Sequence, residues 1–277
     1  MSEEQFAVAV GDGVLAGHRG GDGPPALLLH GGPAWPDYTE GCARELDGLL
    51  ATMRYTQRGV PPSTVGGPYT IESHTSDAVA VLDHFGIERA WAVGHSWGGH
   101  LALHLAVAHP DRLLGVICID PLGAFERVFA EFGANLRAGI SPEQGARIDA
   151  IEARRRAGEV SEADLVERSE LVWPLYFADP ATAPRHPDGP VGVECSTGTN
   201  ASISEHFRRG TLADGLPAAR LPALFVHGER DPLPVSSSRE AAALIPGAVV
   251  DTIPGCGHFP WMERTGEIRR RVAAFLE

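Results

Sequence analysis

Ser96 stands at the centre of Gly94-His95-Ser96-Trp97-Gly98, a G-x-S-x-G pattern. A serine hydroxyl is a weak nucleophile at neutral pH. It attacks a carbonyl when an imidazole takes its proton and a carboxylate holds that imidazole. Both partners are present downstream: Asp231 in Gly228-Glu229-Arg230-Asp231-Pro232, and His258 in Gly255-Cys256-Gly257-His258. Ser96, Asp231 and His258 are therefore the candidate catalytic set, with Glu229 as the rival carboxylate and His227, at the end of an apolar run, read as structural. The turn His30-Gly31-Gly32-Pro33 supplies the remaining chemistry. The N–H of Gly32, with that of Trp97, is expected to form an oxyanion hole for the charge that develops on a carbonyl oxygen.

These groups need elements that bring them together. Short apolar runs recur at 26–29, 52–56, 90–93, 113–119, 223–226 and 248–252, with helix-period segments between several of them. Strand and helix in alternation predict an α/β fold with a mostly parallel sheet covered on both faces. Ser96 falls between the run 90–93 and the apolar helix 101–108, the strand-turn-helix setting that holds a serine oxygen at a sharp bend. Asp231 and His258 follow the carboxyl ends of the next strands, where such sheets gather their active groups.

Ahead of these, Phe6 to Val10 and the run from Val14 flank Gly11-Asp12-Gly13, predicting a hairpin. Ile71, Thr75, Ala78, Leu82 and Phe85 share a helix face that Gly86 ends, and Ile268, Val272, Phe275 and Leu276 make a second stripe. Strand signals vanish after Pro121, so residues 1–121 and 206–277 read as the core and 122–205 as a helical cap, or lid, over the strand ends. That insertion carries Arg154, Arg155 and Arg156, read as a solvated helix face, and a Pro-, Asp- and Gly-rich loop from Asp179 to Gly192. Trp35, Trp173, Tyr176, Phe177 and Trp261 are candidates to line an apolar substrate pocket, and Ser236 to Ser238 to cap the helix that follows.

Composition narrows the reaction classes. The 277 residues suffice for one α/β domain with an insertion, and 43% hydrophobic content suffices for a full core. A net charge of −13 has the wrong sign for a nucleic-acid partner. All 23 basic residues are Arg, which removes the Walker lysine, Schiff-base lysines and Ser-Lys dyads. Cys42, Cys118, Cys195 and Cys256 lack C-x-x-C spacing, so no metal cage is signalled, and a small buried side chain is the reading for Cys256. His100 and His104, spaced i, i+4, have no indicated third ligand and are read as structural. The acidic start Met1-Ser2-Glu3-Glu4 and the lack of a long apolar run predict no membrane span and a cytoplasmic setting. Oligomeric state leaves no mark in the sequence.

With His30 to Pro33, Gln57-Arg58-Gly59, Gly94 to Gly99, Asp231 and His258 in place, the chain resembles the α/β-hydrolases, and among them the proline iminopeptidases. The order Ser, Asp, His is that of the hydrolase fold. The family's usual Asp-Gln-Arg-Gly appears as Thr56-Gln57-Arg58-Gly59, and Pro61 stands where a second glycine is common. The resemblance implies a serine hydrolase that forms an acyl-enzyme and needs no metal or organic cofactor. A small ester, thioester or lactone is the expected substrate. A second reading is an iminopeptidase-like aminopeptidase, for which Glu170 and Glu205 are compatible ammonium ligands; a third is a ligand-binding protein on the same fold. Haloalkane dehalogenase and epoxide hydrolase chemistry, which uses an Asp nucleophile, is disfavoured by Ser96.

Overall fold

The computed structural model describes residues 2–187 and 189–277; Asp188, inside the Pro-rich loop, and Met1 lie outside the described residues. Eight strands form one sheet: β1 (Glu3–Val10), β2 (Gly13–Gly20), β3 (Pro25–Leu29), β4 (Ala51–Tyr55), β5 (Ala90–His95), β6 (Leu113–Ile119), β7 (Ala223–Gly228) and β8 (Val249–Ile253). Their order is β1-β2-β4-β3-β5-β6-β7-β8. β2 is antiparallel to β1 and β4, and the pairs from β4 through β8 are all parallel. The hairpin and the six predicted runs are all present; β5 and β7 extend to His95 and Gly228, directly into the loops that carry Ser96 and Asp231.

Strands buried on both faces explain the near-continuous apolar runs, because successive side chains point to opposite sides. Leu27, Ala92, Cys118 and Phe225 enter one core, which also holds Leu82 and Leu101. Their neighbours Leu28, Val93, Ile119 and Val226 enter the other, with Leu46 and Val272. The helices of the first core include α2 (Ile71–His84), α3 (Trp97–Ala108) and α9 (Ser236–Ala242); those of the second are α1 (Glu40–Leu46), α10 (Pro260–Glu263) and α11 (Glu267–Leu276).

Between β6 and β7 no strand forms among the described residues. The segment holds α4 (Val128–Ala138), α5 (Pro142–Ala157), α6 (Glu162–Val172), α7 (Val193–Arg209) and α8 (Thr211–Gly215). Reciprocal capping boxes start two of them, Ser141 with Gln144 at α5 and Ser161 with Asp164 at α6. α4 and α7 insert Val128 and Ile203 into the first core, which seats the segment on the sheet. One sequence expectation is corrected: Ser236 to Ser238 form the first turn of α9 and do not cap it. Ser237 donates to the Pro121 carbonyl instead, and Ser238 bonds His227. No helix among the described residues is long and apolar enough to cross a membrane.

Candidate active site

β3 and β5 are sheet neighbours, while the chain reaches β5 only after stepping outward to β4. The sheet therefore reverses its winding between them, and a crevice opens beyond their carboxyl ends. Ser96 occupies the turn from β5 into α3 with φ 56° and ψ −119°, a conformation costly for any residue with a Cβ. Close packing over-determines it. A Cβ on Gly94 would lie 2.1 Å from the Gly98 carbonyl oxygen, and one on Gly98 would lie 2.0 Å from that of Leu29. Ser96 is further pinned by its N–H to the Ile119 carbonyl at 2.9 Å and by its own carbonyl, which accepts from His100 at 3.2 Å.

His258 meets Asp231 through Nδ1 and Oδ2 at 2.6 Å, both side chains being buried. Burial pushes the imidazole down to about 3, while the adjacent carboxylate works in the other direction. Tyr176 stacks on His258 with ring centroids 5.0 Å apart and accepts the His258 N–H on its carbonyl at 2.7 Å. Glu229, the rival carboxylate, is exposed and accepts from the Gly255 N–H at 2.8 Å.

A second carboxyl, Asp120 at the end of β6, lies against Asp231 and was not singled out by its motif. Its Oδ1 accepts from the Gly228 N–H at 2.7 Å. Burial and the charge of Asp231 push Asp120 well above the usual carboxylate range. Two adjoining buried carboxyls cannot both ionise. Asp231, which also accepts from the Leu233 N–H at 2.8 Å, keeps the charge, and Asp120 keeps the proton. Ligand-type atoms of Asp120, His227 and Asp231, and of His95, Asp120 and His258, lie within 4.8 Å of one another. All four ring nitrogens of His95 and His227 are committed to hydrogen bonds, which makes these groups proton networks and not ligand sets.

The glycine turn after β3 is held by residues the motif reading left without a role. Gly31 donates its N–H to Tyr38 Oη at 2.8 Å, Tyr38 donates to His95 Nδ1 at 2.8 Å, and His95 Nε2 donates to the His258 carbonyl at 2.7 Å. Only glycine fits at position 31, since a Cβ there would lie 2.2 Å from Tyr38 Oη. Gln57 completes the frame: its N–H donates to His30 Nε2 at 3.0 Å, its amide nitrogen to the His30 carbonyl at 2.9 Å, and its oxygen accepts from Trp97 Nε1 at 2.7 Å. Arg58 makes a two-pronged pair with Asp77 at 2.7 and 2.6 Å and anchors this stretch to α2. Residues 24–265 match the family described as alpha/beta hydrolase fold.

The chain belongs to the alpha/beta hydrolase family. It is 27% identical over 300 residues to 2-hydroxymuconate semialdehyde hydrolase of Pseudomonas putida, covering 100% of this chain and 97% of that protein. It is 25% identical over 269 residues to a proline iminopeptidase of Lactobacillus helveticus, covering 92% and 90%. A solved alpha/beta fold family hydrolase from Bacillus anthracis superposes with a TM-score of 0.77 at 18% identity over 99% of both chains. The relatives are hydrolases, which supports an enzymatic role, and the iminopeptidase resemblance stands among them beside other activities.

In this alpha/beta hydrolase a cavity of about 380 Å³ is lined by Ser96, His258 and Gly32. Trp35 and Tyr176 stand on its wall. Trp173, Phe177 and Trp261 are not on this wall; they pack in the second core with Phe259, and Trp173 and Phe177 also line a second cavity with Asp179 and Arg230. Aromatic content alone cannot separate core from wall. Glu170 is exposed and Glu205 pairs with Arg208 and Arg209, and neither faces the cavity. The polar wall is built instead by Glu152, Arg155, Arg168, Ser169, Ser196 and Asn200. The three arginines thus part company: Arg154 pairs with Asp164, Arg156 is exposed, and Arg155 faces the cavity. His100 donates Nδ1–H to the Gly123 carbonyl at 2.7 Å and meets His104 at 3.2 Å, a pair closed within the core.

Proposed function

We propose that the protein is a serine hydrolase that forms an acyl-enzyme on a small ester, thioester or lactone. Ser96 Oγ attacks the carbonyl carbon while His258 takes its proton, and Asp231 fixes the imidazole tautomer and stabilises its cationic form. The carbonyl oxygen, now anionic, receives the N–H groups of Trp97 and Gly32. Trp97 opens α3, so its N–H has no acceptor within the helix. Gly31 spends its own N–H on Tyr38, which favours Gly32 as the second donor. His258 returns the proton to the leaving group, and water then releases the acyl group by the same route. Residues 122–205 act as the lid that shapes and covers the cavity.

The observation that carries this reading is the 2.6 Å His258–Asp231 contact beside a serine held at positive φ, with Ser96 and His258 facing one cavity. Ser96→Ala abolishes turnover of p-nitrophenyl esters and labelling by a fluorophosphonate; a variant that still labels removes Ser96 from its role. The ester class is preferred over an aminopeptidase because Glu152, the carboxylate on the cap side of the cavity, is bonded to Arg168 at 2.6 Å, and Arg155 beside it repels an ammonium. Faster cleavage of prolyl-naphthylamide than of short p-nitrophenyl esters reverses that preference. Ligand-induced thermal stabilisation with no product from any of these substrates marks a binding protein instead.

A further inference from the structure

The charged side chains on the cavity wall do not balance. Among the described residues, two guanidinium groups, Arg155 on α5 and Arg168 on α6, face it with one carboxylate, Glu152, and the neutral His258. Glu152 is taken: its Oε1 accepts from Arg168 Nε at 2.6 Å. Arg155 is half-buried, has no carboxylate within 4.0 Å among the described residues, and makes one long bond among them, Nη2 to Ser196 Oγ at 3.5 Å. Burial lowers its pKa, with Glu152 opposing and Arg168 reinforcing the shift. A guanidinium on a cavity wall with no carboxylate partner among the described residues offers a flat fork that suits a carboxylate. Phe129, Phe132, Leu136 and Val172 make an apolar part of the same wall, so the cationic group and its polar neighbours stand beside a greasy surface.

We infer that Arg155 is the anion-binding group of the cavity and that the substrate carries a carboxylate at a distance from its scissile carbonyl, the two joined by an apolar stretch. Two guanidiniums against one carboxylate leave a single positive charge to neutralise, which matches a monoanion and not a dianionic phosphate ester. Ser169, Ser196 and Asn200 stand on the same wall and supply further polar groups around it. The inference deepens the hydrolase reading and rests on it for the position of the scissile bond. The anion site itself is independent of Ser96.

The experiment has two arms. In the first, calorimetry on Ser96→Ala compares monomethyl esters of the dicarboxylic acids from glutarate to suberate with their dimethyl counterparts. At least one acid binds tenfold or more tightly than its dimethyl ester, and added salt and Arg155→Gln both erase the difference, while Arg155→Lys keeps part of it. Equal affinity across every pair, no binding of any acid, or a preference that survives Arg155→Gln overturns the anion site. The comparison within the Ser96→Ala protein stands even if the Arg155 variants misfold. In the second arm, the unaltered protein is assayed on p-nitrophenyl half-esters of the same acids and on p-nitrophenyl alkanoates of equal length; the half-ester has the higher kcat/KM, through KM. Binding without turnover of either series sinks the hydrolase reading and leaves the anion site. Turnover with no preference for the half-ester does the reverse.

Discussion

His95 donates its Nε2–H to the backbone carbonyl of His258 at 2.7 Å, so the residue just before Ser96 holds the main chain of the proposed base. The other face of the same ring accepts from Tyr38, whose oxygen also accepts from Gly31. One buried chain of bonds thus ties the glycine turn, the serine elbow and the histidine loop.

Tyr38→Phe cuts that chain in the middle and leaves the Gly31 N–H and His95 Nδ1 without partners. A buried polar group left unsatisfied costs about 1–3 kcal/mol. The expected outcome is a lower Tm and a fall in kcat on the order of tenfold or more, with KM changing less; thermal melts and steady-state kinetics check it. Unchanged kcat separates this chain from catalysis.

Asp231 and Asp120 adjoin, yet their amide variants should differ widely. Asp231→Asn faces His258 with the wrong tautomer partner, a change worth on the order of 10⁴-fold in kcat for a triad aspartate. Asp120 already holds a proton, and an Asn oxygen can still accept from the Gly228 N–H. Asp120→Asn therefore stays within about tenfold of the parent, since its amide nitrogen can still donate toward the Asp231 carboxylate in place of the carboxyl proton. Parity between the two variants in kcat contradicts the assignment of charge to Asp231.

The pH profile follows from the sign of the His258 shift. The base must be neutral to accept the serine proton, so activity falls as pH drops through its pKa. Burial holds that value below the ordinary 6.5 of histidine, and the acid limb of kcat/KM lies below pH 6.5. Stability shares the direction. His74 near 3, and His100 and His227 near 4, stay neutral when folded but take up protons when unfolded, so Tm declines as pH falls from 6.5 toward 4. The shared proton of the aspartate pair opposes this with one group against several. A half-maximal rate at or above pH 6.5 contradicts the first expectation, and a flat Tm the second.

Ser96→Gly removes the side chain and also the strain, because glycine tolerates φ 56° without a Cβ penalty. The variant is inactive yet melts above the parent by an amount equivalent to about 1 kcal/mol. Gly98→Ala does the opposite, driving a methyl into the Leu29 and His30 carbonyls, and lowers both Tm and activity. Calorimetric scans of the two variants side by side test whether the elbow stores strain.

The candidate set Ser96, Asp231 and His258 is legible in the sequence because each lies in a short motif at the end of a strand, and strand ends are readable from local apolar runs. Gln57, Tyr38, His95 and Asp120 carry no such local signal, since what they do depends on which distant segments close on them. A tyrosine seven residues past a glycine turn looks like any other until the sheet order places β3 beside β5. The arginine run failed for a different reason. Consecutive helix residues point about 100° apart, so Arg154, Arg155 and Arg156 had to face three directions, but sequence does not say which one meets a cavity. Trp173, Phe177 and Trp261 show the matching limit for apolar groups, where core and pocket use the same side chains.

The cavity wall is drawn from two sources that do not interleave. Everything proposed to make or break a bond comes from loops beyond the carboxyl ends of the sheet strands, whereas Arg155, Arg168 and their apolar neighbours come from the stretch between β6 and β7. Exchanging that single continuous stretch for another, provided a residue at position 176 still held the His258 main chain, would redirect the choice of molecule while the reactive hardware stayed in register, so the two traits can drift at separate paces in descent.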